Sequence, residues 1–129
     1  MPKRTRLDVT PNQQLDELNK YSPVIVKYDI TADATGGVTM LTAPFAMQIL
    51  DFTVLAQATS ASGTVTPRKA TNAMCTAITM ATDGSVARMT AGAVVANAAR
   101  LILAKGDTVT LVTNGANDRG IVTLIGVRV

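Results

Sequence analysis

The sequence predicts an all-β protein: a single antiparallel β-sandwich or jelly roll, preceded by an extended N-terminal arm with a short helix. Three observations carry this prediction. From Ser22 onward apolar residues recur at a period of two, as in Val24, Val26, Tyr28 and Ile30, the spacing that turns one face of a strand toward a core. The apolar runs are short and β-branched, and they are divided by Asp83-Gly84, Gly106-Asp107 and Asn114-Gly115, residue types that accept the positive φ of tight turns. About eight such runs follow one another at the spacing of a sandwich or jelly roll. A chain of 129 residues is long enough for one core and too short for two ordinary domains. The expected division is an arm over 1–22 and a β domain over 23–129.

In the arm, Met1 to Asp8 reads as extended, and Thr10 to Tyr21 starts like a helix. Thr10 can cap, Pro11 suits the first helical position, and Gln13 has the spacing of a capping box. Asp16 and Glu17 lie toward the positive end of the helix dipole and Lys20 toward the negative end. Leu15 and Leu18 share one narrow face. Two or three turns with so thin a stripe do not hold in isolation, so the segment must dock on its own domain or on a partner.

The β domain opens with Pro23 to Ile30, where Lys27 and Asp29 face away from the apolar set. A loop through Gly36-Gly37 leads to a second strand, Val38 to Thr42. Met47 to Thr59 is the longest run, with Leu50, Phe52, Val54 and Ala56 expected on one face and Asp51 and Thr53 on the other. Ser60 to Gly63 turns the chain into Thr64-Val65-Thr66, and Pro67 marks an edge or a strand end. Ile78 to Ala81 and Ser85 to Thr90 flank the Asp83-Gly84 turn. Residues 93–105 fit helical spacing, with Gly106 as its C-cap, and also fit a strand over 99–105, which is the preferred assignment. The runs 101–105, 108–113 and 120–129 read as an antiparallel meander ending within a sheet.

The missing residue types exclude much chemistry. With no His, no Trp and one Cys, a His-based triad, a Cys-His pair and an ordinary His or Cys zinc site are ruled out. The eight Asp and one Glu are spread along the chain, and no pair stands out as the two carboxylates of a glycosidase. Asp83 and Asp107, each beside Gly, read as turn residues. No EF-hand spacing occurs, so the one metal reading is a calcium ion between distant loops. Gly36-Gly37 lacks the Lys-Ser/Thr of a phosphate loop. Cys75 stands in an apolar context and reads as a buried, inert thiol. No enzyme, catalytic residue or cofactor is expected.

The net charge of +3 comes with Lys3, Arg4 and Arg6 at the N-terminus, while the remaining basic residues are scattered and aromatics make up 3%. That is no platform for nucleic acid. No run of about 18 apolar residues occurs, so no membrane span is expected, and no apolar h-region follows the basic N-terminus. Charged residues are 16% and hydrophobic ones 47%, against roughly 25% charged in a typical soluble protein. So few charges on a small domain leave apolar patches, and burial between subunits of a homo-oligomer is the usual remedy.

The stretch Leu103 to Leu111 resembles the L-x-x-G-D-x-V-x-L element of jelly-roll domains of the C1q and tumour-necrosis-factor type, with Gly120 to Ile125 in the place of their Gly-containing last strand. Such domains form tight homotrimers; the aromatics of that family are missing here, so the resemblance implies the shape only. Asp51-Phe52-Thr53-Val54, Ser62 to Thr66, Thr82-Asp83-Gly84 and Lys105 to Val109, together covering 47–129, are similar to capsid decoration (cement) proteins of tailed bacteriophages. That likeness implies a trimeric body on the virion capsid surface, made in the host cytoplasm, with arms bound to the major capsid protein. On this reading Lys3, Arg4, Arg6, Leu15 and Leu18 are the capsid-binding residues. The alternative is a head-fibre or tail-fibre receptor-binding domain, whose sugar sites use Trp or Tyr; this chain has no Trp and two Tyr.

Overall fold

The computed structural model describes residues 23–60, 62–89 and 96–129. The arm, its helix, and Lys3, Arg4, Arg6, Leu15 and Leu18 lie outside the described residues.

Among the described residues ten strands follow in order: β1 (Pro23–Ile30), β2 (Val38–Thr42), β3 (Met47–Ala56), β4 (Thr64–Lys69), β5 (Asn72–Ala73), β6 (Ile78–Thr79), β7 (Val86–Arg88), β8 (Ile102–Leu103), β9 (Thr108–Thr113) and β10 (Gly120–Arg128). One sheet has the order β1-β10-β3-β7, with β8 also on β3; the other has β2-β9-β4-β5, with β6 also on β4. We call them the β10 sheet and the β9 sheet. All pairings are antiparallel. The first strand pairs with the tenth, the second with the ninth, the third with the seventh and eighth, and the fourth with the fifth and sixth. The chain is thus one long hairpin wrapped over itself into two sheets, the winding of a jelly roll.

The core lies between the sheets. Phe52, Val54, Val122 and Leu124 from the β10 sheet and Val65, Ile78, Val109 and Leu111 from the β9 sheet are all fully buried. Burial of each such side chain contributes about 1.5–3 kcal/mol, which sets the register: a slip by one residue would turn each inner row to the outside. In β1 the predicted alternation holds, with Val24, Val26 and Tyr28 against the core, Ile30 buried, and Lys27 and Asp29 exposed.

Three expectations change. The last third of the chain is not a meander: β8 and β10 belong to one sheet and β9 to the other. The Gly106 turn (φ +92°) is instead a corner between sheets, held by Ala43 N–H donating to Asp107 O (2.7 Å) and Gly106 N–H to Ala43 O (2.8 Å). Leu50 is not in the row of Phe52, Val54 and Ala56. The register with β10 pairs Asp51 with Ile125 and Ile49 with Gly126, so Leu50 is a bulge residue, 47% exposed, while Ile49 and Met47 take the inner positions. Pro67 ends nothing: it is buried within β4 and pairs with Leu111. Its carbonyl accepts from Met74 N–H (2.9 Å) in the gap between β5 and β6. In an antiparallel strand a residue's N and O point the same way, so the absent N–H faces a neighbour that is itself interrupted. Of the stretch 93–105, residues 93–95 lie outside the described residues; in the remainder both assignments are met in part, by a 3-10 turn over Ala98–Leu101 and then β8.

Candidate interaction surface

The two outer faces of the sandwich differ. On the β9 sheet, Thr39 and Thr42 of β2, Thr108 and Thr110 of β9, and Thr64 and Thr66 of β4 are exposed or half-buried, alternating with inner Val109, Leu111 and Val65. Apolar-in, hydroxyl-out is the pattern of a sheet with one solvated face.

The β10 sheet departs from it. Register places its outer side chains in rows: Pro23, Val127, Gln48 and Ile102; then Ile25, Ile125 and Asp51; then Lys27, Thr123, Thr53 and Arg88; then Asp29, Ile121, Leu55 and Val86. Ile25, Val86 and Ile102 are 64%, 62% and 54% exposed, with Leu50 at 47% beside them, and Leu55, Ile121, Ile125 and Val127 are half-buried. β10 is apolar on its inner positions and largely apolar on its outer ones, the composition of a strand covered on both faces.

The acid in the middle of this face is neutralised. Asp51, 4% exposed, accepts from Arg88 Nε (2.8 Å), and Arg88 Nη2 lies 2.6 Å from the same Oδ2. Lys27 and Asp29, both exposed, put one charge of each sign along the β1 edge. The exposed aliphatic side chains of this face are thus interrupted by one polar row, Lys27, Thr123, Thr53 and Arg88.

Among the described residues no three His, Cys, Asp or Glu side chains come together, and no helix is long and apolar enough to cross a membrane. Asp107 is a turn residue, its Oδ2 accepting from Ala104 N–H (2.8 Å) with Lys69 Nζ at 3.5 Å. Asp33 likewise accepts from Thr35 N–H and Oγ1–H, and these bonds, with the nearby Arg119 charge, hold its carboxyl below the ordinary range. Tyr28 packs against the core instead of offering a ring to a ligand.

Cys75 is buried, as predicted, beside an open hollow bordered by Asn97 and Arg100. Burial, and secondarily the negative charge of Asp51, push its thiol from 9.0 up to about 11. The unfolded thiol therefore ionises first, and the folded state should lose stability as pH rises from 9.0 toward 11. Urea titrations at successive pH values should show this alkaline slope in the native sequence and a shallower one in Cys75→Ala. An aromatic disulfide reagent should label the thiol far faster in denaturant than in buffer; equal rates would contradict burial.

Sequence reasoning placed the binding residues in the arm and passed over the outer face of the β10 sheet. The signal was present in Ile121-Val122-Thr123-Leu124-Ile125, where both parities are occupied by β-branched or aliphatic residues. Comparison of the chain with protein-family models, with curated proteins and with solved structures finds no match.

Proposed function

We propose that the chain is a structural virion protein whose body self-associates as a homotrimer through the outer face of the β10 sheet and decorates a tailed-phage capsid. The arm, through Lys3, Arg4, Arg6 and the Leu15 and Leu18 face, bridges neighbouring subunits of the major capsid protein. One observation supports this reading above the others: one outer face is mostly threonine, with Val112 and Arg68, while the other carries isoleucine, valine and leucine in three of its four rows, its central acid paired with Arg88. A second copy of the chain fits that face. It brings the same apolar rows, and about a three-fold axis each copy sets one part of them against a different part on its neighbour, a heterologous contact, with the charges of Lys27 and Asp29 along the β1 edge. A closed ring of such contacts limits assembly to a defined particle, and three arms on one body give avidity without a strong single site.

Light scattering on the purified full chain tests the first step. A mass three times 13.4 kDa is expected, and a monomer at micromolar concentration would overturn it. Deleting residues 1–21 should leave the oligomer intact and abolish co-sedimentation with capsids of the encoding phage; retained binding would remove the arm from the mechanism.

A further inference from the structure

At one end of the sandwich the β3–β4, β6–β7 and β9–β10 connections meet around one enclosed acid. Asp118 is 1% exposed, and among the described residues neither of its carboxylate oxygens has a hydrogen-bond partner. Its main chain is engaged, with N–H donating to Gly115 O (3.3 Å) and the carbonyl accepting from Arg119 Nη1 (2.9 Å). Arg119 Nη1 also donates to Ala116 O (2.8 Å), so these bonds of the adjacent guanidinium go to backbone.

The carboxylate faces two glycines. A methyl group on Gly63 would stand 3.0 Å from Asp118 Oδ1, 3.0 Å from Met80 O and 3.3 Å from Ser60 O. A methyl group on Gly115 would stand 3.3 Å and 3.4 Å from the two carboxylate oxygens. The absence of side chains at Gly63 and Gly115 thus lets a carboxylate and carbonyl oxygens from three connections converge closely, forming a cradle of oxygens. The cradle is held by other bonds: Asn114 Oδ1 accepts from Thr64 N–H (2.9 Å), Asn114 Nδ2 donates to Ser62 O (2.7 Å), and Thr113 Oγ1 donates to Gly115 O (3.0 Å). A buried carboxylate without donors is costly unless a cation accompanies it.

We propose that Asp118 binds a hard, calcium-type cation in this cradle, with the Ser60 and Met80 carbonyls and water completing an all-oxygen shell. Oxygen donors without nitrogen or sulfur select a hard ion, and a mixed carboxylate and carbonyl set of irregular geometry suits calcium better than octahedral magnesium. A single carboxylate places the affinity at the weak end of the calcium range, about 10⁻⁴–10⁻³ M. The ion ties three connections together beside the first residue of β10, and this role is independent of the virion assignment.

The test is thermal unfolding of the full chain in chelator and in calcium chloride at about 10 mM. The native sequence should gain on the order of 5–10 °C with calcium. Asp118→Asn should show no gain, and in chelator it should melt above the native sequence, because the amide supplies donors to the facing carbonyls. Gly63→Ala should also lose the response, its methyl pushing apart the Asp118, Met80 and Ser60 oxygens that it would meet at 3.0–3.3 Å. Identical melting of the native sequence with and without calcium, or an undiminished gain in Asp118→Asn, would overturn the proposal. Should both variants fail to fold, equilibrium dialysis of the native chain decides, with one calcium per chain supporting the site and none refuting it.

Discussion

Ile121→Lys combined with Ile125→Lys should convert the proposed trimer to monomers without unfolding it. Both side chains lie on the outer face of β10, between Asp29 and Leu55 in one row and between Ile25 and Asp51 in the other. In a lone subunit each lysine can lay its methylene stem along Ile25 or Leu55 and carry its ammonium to water, so the core is untouched. In an assembly both ammoniums are withdrawn from water among the apolar rows, with only Asp29 and the Arg88-paired Asp51 beside them, and desolvating charge in such places costs several kcal/mol. Two per subunit should weaken association by more than about a thousandfold. Sedimentation velocity should show the loss of the oligomer, while the urea midpoint of the body, measured on dilute monomer, stays close to the native value. Thr110→Lys on the threonine face serves as the control and should leave the oligomer unchanged. If the double variant remains assembled, the contact surface lies elsewhere on the body.

The strands were legible wherever a local cause produces them. β1 shows its period of two because one face meets the core and the other carries Lys27 and Asp29. Gly84 and Gly106 show their turns because the backbone there has positive φ, at +83° and +92°. The pairing of the strands was less legible, since a tight turn dictates that the chain reverses and not which sheet it returns to. Around Gly106 the turn connects the two sheets, and only the contacts to Ala43, remote in sequence, decide that. Parity failed at Leu50 for a related reason: Ile49 and Leu50 are both aliphatic, so one inserted residue leaves no trace in an apolar count. Asp118 escaped notice because an acid beside Asn117 and near Gly115 resembles a turn residue. Its enclosure depends on Gly63 and Met80 from two other connections.

A large effect on the fold itself should come from Gly120→Ala. Gly120 opens β10 and pairs with Ile30 on one side and Ala56 on the other, so it stands where three strands of the sheet are in register. A methyl group there would lie 2.7 Å from the Leu55 carbonyl oxygen and 2.9 Å from Met80 Cε. The methionine tip can swing aside, but the Leu55 oxygen belongs to the main chain of β3 and moves only if the β3–β10 ladder moves with it. Relief by backbone displacement typically costs 1–3 kcal/mol, and loss of ladder hydrogen bonds adds to it, so a destabilisation of about 2–4 kcal/mol is expected. Gly36→Ala provides the contrast. A methyl group at Gly36 meets nothing within 4 Å, and its φ is not positive, so the change should fall within about 0.5 kcal/mol of neutral. Urea unfolding of the two variants with unchanged m-values would measure the difference directly. Equal midpoints would mean that β10 does not approach β3 this closely at its first residue, and the covered strand at the centre of the proposed interface would have to be placed differently.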